Sequence, residues 1–160
     1  MWDSLVAVFG TLAGGALVSY TQVLDGRRTR DEQQRQRVTD TTTELLRALL
    51  KYRKLFWLLV ADIREGHTET REDRADRFQA RSEITEARDR LSLTTGATAL
   101  HAATKEAAWS AIDLGDIELG TVTDGRFSDD VEAALSAGRE RSRDAHTALL
   151  KAVRAHIHGT

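Results

Sequence analysis

An uncharged run near the N-terminus constrains this chain more than any other feature. Residues 4–24 lie between Asp3 and Asp25 and contain no charged side chain. At a rise of about 1.5 Å per residue, a helix of about 21 residues is about 30 Å long, the thickness of the hydrocarbon core of a bilayer. The run therefore favours a membrane-spanning helix within residues 1–26. Several hydroxyl and amide side chains lower its hydropathy, which leaves open a helix buried in a soluble core.

The flanks of this run predict its orientation. Arg27, Arg28 and Arg30 follow it directly, and no Lys or Arg precedes it. The positive-inside bias therefore predicts a single-pass protein of the cell membrane, with the N-terminus outside and a helical bundle of residues 27–160 in the cytoplasm. The three arginines then determine topology and lie near lipid headgroups. A cleaved signal peptide fits poorly, because no basic residue comes before the apolar run.

Small side chains follow one face of the predicted span. In lipid, small residues let helix backbones approach closely, so this face predicts self-association into a homo-oligomer. The residues concerned are Ala7, Gly10, Thr11, Gly14, Gly15 and Ser19. The GxxxG pair of Gly10 and Gly14 is a weak signal alone, and an abundance of glycine and alanine explains the stripe as well. A pore is a stronger version of the prediction, but the run offers only a thin polar stripe for it.

The rest of the chain has the pattern of a helical bundle. It contains no proline to break a helix and no cysteine for disulfides or thiol chemistry. From Leu45 to Ile63, apolar residues recur at alternating four- and three-residue steps, the spacing of a coiled-coil seam, with further apolar residues beside it. Breaks near Gly66, near Gly96 and over residues 115–128 separate the later helices. We therefore predict an all-α fold in which the N-terminal helix continues into an up-and-down bundle of about four helices.

Two finer expectations concern the second and fourth helices. The second runs from about residue 69 to 94, and we expect its buried face to contain Ala75, Phe78, Ile84, Ala87 and Leu91. Ser128 is followed by two aspartates, which is typical of the N-cap and first turn of a helix. We expect Ser128 to cap the last helix, which ends near His156.

The sequence carries no signature of catalysis or metal binding. Its five histidines form no i,i+3 or i,i+4 ligand pair with a carboxylate, and no nucleophile elbow, phosphate loop or dinucleotide fingerprint is present. Asp113, Asp116 and Glu118 are better explained as a solvated helix end than as an acid–base site. We therefore expect no enzyme, no cofactor and no metal. The net charge of −2 gives no strong case for a nucleic-acid partner.

Several stretches resemble a known family. They are residues 5–16 (LVAVFGTLAGGA), 52–57 (YRKLFW), 87–91 (ARDRL), 107–112 (AAWSAI) and 125–128 (GRFS), and they are similar to small actinobacterial proteins called KilB-like. The resemblance implies a membrane-associated accessory of conjugative plasmid transfer or spread between cells, and it brings no functional residues with it.

Two functions are compatible with these patterns. The first is a non-enzymatic, membrane-anchored helical protein that self-associates and presents its bundle to an unknown protein partner. The second is a soluble all-helical interaction module, whose first helix is buried in its own core or in a homo-oligomer interface.

Overall fold

The computed structural model describes the backbone of residues 2–159 and the side chains of residues 29–159. Over these residues it contains four α-helices and a 3₁₀ turn, Asp113–Asp116, and it has no β-strand beyond an isolated bridge between Thr123 and Arg126. The helices are α1 (Trp2–Arg64), α2 (Arg71–Thr94), α3 (Thr98–Ile112) and α4 (Asp129–His158). The predicted all-α class is confirmed, and α1 continues without a break from the N-terminal segment, as the absence of proline allowed.

The chain divides into two units, residues 1–37 and residues 38–160. In the first unit, the described side chains, those of residues 29–37, are exposed to solvent. No helix in the described part of the chain is both long and apolar enough to cross a membrane. The predicted span over residues 4–24 lies outside the residues whose side chains are described, so it stays a prediction.

The second unit is an antiparallel bundle, as its cross-helix contacts demonstrate. Between α1 and α2, Lys51 pairs with Glu83 at 2.7 Å and Glu44 pairs with Arg90 at 2.6 Å, so residue numbers rise along one helix as they fall along the other.

The other helix pairs follow the same rule. Arg64 of α1 contacts Glu132 of α4, and Arg53, earlier in α1, contacts Ser142, later in α4. Near the ends of α3 and α4, Leu114 lies against Gly138 and Thr95 against His156. These contacts confirm the up-and-down topology.

The core of the bundle comes from all four helices. Leu45, Leu49 and Tyr52 of the predicted α1 seam are buried against α2, α3 and α4. In a smaller cluster, Phe56 and Val60 of α1 pack with Leu114 of the 3₁₀ turn, Phe127 of the loop before α4 and Leu135 of α4. The seam prediction is therefore confirmed from Leu45 to Phe56, while Leu59 and Ile63 are only partly buried.

The predicted buried face of α2 is partly wrong. Phe78 is 60% exposed and Ala75 is exposed, while Ala80 is buried in their place. Ile84, Ala87 and Leu91 are buried as predicted, so the buried face of α2 begins later and is rotated, because the antiparallel contact with α1 brings Ala80 inward.

The predicted start of α4 is confirmed, and Asp129 and Asp130 lie in its first turn. Ser128 occupies the N-cap position, but its side chain makes no capping hydrogen bond. Glu132 instead accepts a hydrogen bond from the backbone N–H of Phe127 at 3.2 Å. By contrast, α2 begins with a complete capping box between Thr70 and Asp73.

Candidate functional site

The bundle holds a half-buried guanidinium whose hydrogen-bond partners are all neutral. Arg53 lies on the side of α1 that faces α4, where its Nε donates to the carbonyl of Leu49 at 3.3 Å. Its Nη1 donates to the carbonyl and hydroxyl oxygens of Ser142, each at 3.4 Å. Its Nη2 lies 3.2 Å from Nδ1 of His146. None of these acceptors carries a negative charge, so the charge of Arg53 is solvated by dipoles alone.

Arg53 differs in this respect from the other half-buried arginines of residues 29–159. Each of the others has a carboxylate partner within 3.3 Å: the pairs are Arg64–Glu132, Arg77–Glu69, Arg81–Asp116 and Arg88–Asp89. Removing a cation from water without an opposite charge is costly. Accordingly, burial lowers the pKa of Arg53, although a guanidinium stays protonated in proteins.

His146 responds to the same environment. Burial lowers its pKa, and the positive charge of Arg53 lowers it further. Since a guanidinium can only donate, Nδ1 of His146 must accept, which assigns the neutral ring its hydrogen at Nε2. The pair therefore adds no negative charge to this side of the bundle.

Two more arginines, Arg139 and Arg143, line a groove between α1 and α4 beside Arg53. The groove has a volume of about 380 Å³ and is lined by Arg53, Trp57, Leu114, Arg139, Ser142 and Arg143. The guanidinium carbon of Arg139 lies 5.3 Å from the centre of the Trp57 ring, a cation–π distance. We call this set of six residues the arginine groove. It combines three guanidiniums with an indole wall and a buried leucine.

The charges of α4 are separated between its two sides. Arg139 and Arg143 line the arginine groove on the α1 side. Glu140, Arg141 and Asp144 line a second depression together with Glu106 of α3. Arg141 is compensated there, because it contacts Glu106 at 2.9 Å and Asp113 at 2.7 Å. Beside Arg53, the side of α4 that faces α1 therefore concentrates positive charge, although Glu132 near the start of α4 pairs with Arg64 and the chain as a whole carries a net charge of −2.

Most of the predicted association and topology residues lie outside the residues whose side chains are described. Ala7, Gly10, Thr11, Gly14, Gly15 and Ser19 fall within α1, and their side chains are outside the described residues, as are those of Arg27 and Arg28. Arg30 is described and is exposed. The structure therefore tests neither the predicted helix–helix contact nor the predicted contact with lipid headgroups.

Sequence reasoning missed the arginine groove, although a signal for it exists. Arg139, Ser142, Arg143 and His146 recur at i, i+3, i+4 and i+7, which places them on one helix face. On α1, no acidic residue occurs between Glu44 and Asp62, a stretch that contains Arg53. Each pattern alone resembles an ordinary solvated face, and only the packing of α4 on α1 brings them together.

Of the three carboxylates near the end of α3, Asp113 and Asp116 form ion pairs with arginines. Asp113 contacts Arg141, and Asp116 contacts Arg81 at 3.3 Å. Within the described residues, no group of three or more His, Asp or Glu side chains could hold a metal ion.

Comparison with known protein families identifies a match over most of the chain. A protein-family model described as KilB plasmid transfer protein matches residues 39–157. The match covers the bundle, including every residue of the arginine groove. None of the curated proteins matches the chain, and none of the solved structures does.

Proposed function

Since the chain belongs to the family of KilB plasmid transfer proteins, we propose that it is a non-enzymatic, membrane-anchored interaction protein of conjugative plasmid transfer. The observation that carries the anchoring is the uncharged run of residues 4–24, which ends three residues before Arg27. Residues 1–26 hold the protein in the cell membrane, and the bundle faces the cytoplasm.

The arginines after the run support this orientation. A basic segment resists translocation and is attracted to the anionic cytoplasmic leaflet by about 1 kcal/mol per arginine near the surface. Arg27, Arg28 and Arg30 are partly offset by Asp25 and Asp31, so their main contribution is to topology. The exposure of the Arg30 side chain is compatible with a position near headgroups.

Self-association through the small-residue face completes the proposal. Two copies of the span would pack along Gly10 and Gly14, where the missing side chains allow backbone contact. Anchored copies would then present several bundles on one membrane patch. A pore remains the stronger version of this assembly.

The bundle supplies a surface for a protein partner. Leu93 is 90% exposed, and Leu50 and Phe78 are more than half exposed. Single exposed apolar residues are common on monomers, so these three do not identify where a partner binds.

The alternative function is a soluble helical interaction module. In that case, the first 26 residues pack in the protein's own core or in a homo-oligomer interface. The two functions differ in what surrounds the N-terminal segment, which is lipid in the first and protein in the second.

Membrane fractionation separates them. The full chain is compared with a variant that begins at Arg27, both expressed in bacteria and extracted with salt, with carbonate and with detergent. We expect the full chain to pellet with membranes and to require detergent, while the shorter chain stays in the supernatant and keeps its helical circular dichroism. If both chains stay soluble and the shorter one loses helicity, anchoring is wrong and the soluble module is correct.

Self-association is tested separately on the full chain. Gly10→Leu and Gly14→Leu should reduce crosslinked dimer in detergent, because a leucine on the small-residue face separates the helices. Ala16→Leu lies on the opposite face of the helix and serves as the matched control. Equal crosslinking in all three variants would show that this face does not mediate association.

A further inference from the structure

We propose that the arginine groove between α1 and α4 binds a phosphate group. Three guanidiniums converge there, from Arg53, Arg139 and Arg143, and none of the three has a carboxylate partner among residues 29–159. This binding site is independent of anchoring and self-association, because it lies wholly within residues 53–143 of the bundle.

Charge selects phosphate as the ligand. A phosphate monoester carries a charge of about −1.5 to −2 at neutral pH and presents three acceptor oxygens. A carboxylate carries a single charge and would leave most of the positive charge of the groove uncompensated. Arginine also matches phosphate geometry, since its planar fork donates two parallel hydrogen bonds.

The three arginines contribute to phosphate binding in different ways. Arg53 already donates hydrogen bonds to Leu49, Ser142 and His146, so these bonds fix its position. Its positive charge then attracts the phosphate without a direct contact. Arg139 and Arg143 are exposed and one helical turn apart, about 6 Å between their Cβ atoms. That separation lets both reach a single phosphate group.

The walls of the groove favour a small phosphate compound over a long polyanion. Trp57, which is half-buried, offers apolar surface for an organic group attached to the phosphate. A nucleic-acid backbone would need positive charge that continues along the surface. On α4 that continuity fails, because Glu140 and Asp144 lie on the adjoining side and Arg141 is compensated by Glu106 and Asp113.

Calorimetric titration of the full chain with inorganic pyrophosphate tests the proposal. The protein is held in an uncharged detergent at low salt, and the variants are Arg139→Gln and Arg143→Gln. Both side chains are exposed, so both variants should fold as the wild type does. Arg141→Gln is the matched control, since it removes the same charge from the same helix on the other side.

We expect the wild type and Arg141→Gln to bind one pyrophosphate per chain. Each groove variant should bind pyrophosphate with an affinity lower by at least about tenfold. Pyrophosphate should raise the thermal midpoint of the wild type and of Arg141→Gln, and should raise that of the groove variants less. Absence of binding to the wild type would overturn the proposal. An equal loss in Arg141→Gln would overturn it as well, since binding would then follow net charge. Tight binding of a single-stranded oligonucleotide without binding of pyrophosphate would replace it with a nucleic-acid surface.

A competition arm identifies the source of the phosphate. Short-chain phosphatidic acid, whose phosphate is a monoester, is added to the wild type before pyrophosphate, with short-chain phosphatidylcholine as the control. Loss of pyrophosphate binding with phosphatidic acid alone would support the site and assign it to the phosphomonoester headgroup of a lipid. Unchanged pyrophosphate binding with both lipids would support a soluble phosphate compound.

Discussion

Arg53 and His146 form a hydrogen bond across the interface of α1 and α4, with Nη2 of the guanidinium 3.2 Å from Nδ1 of the imidazole. The bond requires a neutral imidazole, because a protonated ring has no lone pair to offer. Burial and the charge of Arg53 both lower the pKa of His146 and so maintain that neutral form. Protonation would break the bond and place two positive charges in contact.

The free energy of unfolding should therefore fall as the pH drops below 6.5, the ordinary pKa of histidine. In the unfolded chain His146 takes up a proton near that pH, whereas in the folded chain it does so only at its own lower pKa. Between the two values the unfolded state binds more protons, so stability increases with pH. Urea unfolding followed from about pH 8 to about pH 5 should record this loss.

His146→Gln isolates this contribution, because glutamine keeps an acceptor and does not titrate. We expect this variant to lose less stability than the wild type across the same pH range. His158→Gln, at the exposed end of α4, should keep the dependence of the wild type. If the wild type and His146→Gln respond equally to pH, His146 does not couple protonation to folding.

Gly115 should not tolerate a side chain. It lies in the 3₁₀ turn after α3, where an added Cβ would overlap the hydroxyl oxygen of the buried Tyr52. That hydroxyl points to the carbonyl of Ile112, and burial raises the pKa of Tyr52, so it remains a donor. We expect Gly115→Ala to lower the free energy of unfolding by about 1–3 kcal/mol, as overpacking does.

Two further variants make the cause specific. In a Tyr52→Phe background, which lacks the overlapping oxygen, Gly115→Ala should cost less, and the difference is the coupling energy of a double-mutant cycle. Gly96→Ala is the matched control, since no atom lies within 4 Å of its added Cβ, and it should change stability by less than about 0.5 kcal/mol. Additivity of the first two changes would contradict the overlap.

The helix order was predictable because periodicity is a property of adjacent sequence. The seam through Leu45, Leu49 and Tyr52 repeats over several turns, and each of these residues is buried. Phe78 was placed wrongly because α2 is dominated by charged side chains, so its apolar pattern is sparse. Its inward face is decided by contact with α1, which no local pattern contains.

The helix caps and the arginine groove show the same difference between local contacts, which the sequence predicts, and contacts between distant residues, which it does not. Thr70 and Asp73 are three residues apart and form their capping box locally, whereas at α4 the predicted cap, Ser128, makes no capping bond. Arg53 and His146 lie 93 residues apart in the chain. A contact of that kind depends on the bundle having formed, which explains why the arginine groove was not predicted.

Thr104 offers a stabilising change. Its hydroxyl oxygen is buried in α3 and has no hydrogen-bond partner in the part of the chain that the structure describes. Valine has nearly the same shape and removes the unpaired group, so Thr104→Val should raise the free energy of unfolding by about 1 kcal/mol. Thr147→Val, at an exposed position of α4, is the control and should have little effect. A loss of stability in Thr104→Val would mean that the hydroxyl is satisfied in solution.

Glu132 joins three parts of the bundle through one carboxylate. Its Oε2 accepts from Arg64 at the end of α1 at 2.6 Å, while its Oε1 accepts from the backbone N–H of Phe127. The guanidinium carbon of Arg64 also lies 5.4 Å from the centre of the Phe127 ring. Removing the carboxylate would leave Arg64 and the Phe127 amide without this partner, in a partly buried place.

We expect Glu132→Ala to lower the free energy of unfolding by about 1–2 kcal/mol, since the pair is partly solvated and its Coulomb energy is screened. Glu132→Gln should cost less, because its amide oxygen still accepts from Phe127. Hydrogen exchange gives the sharper measurement: the Phe127 amide should lose protection in Glu132→Ala and largely keep it in Glu132→Gln. Glu140→Ala, an exposed position of the same helix, should preserve both stability and protection. If Phe127 exchanges equally in all four proteins, the carboxylate does not hold the loop before α4 against α1.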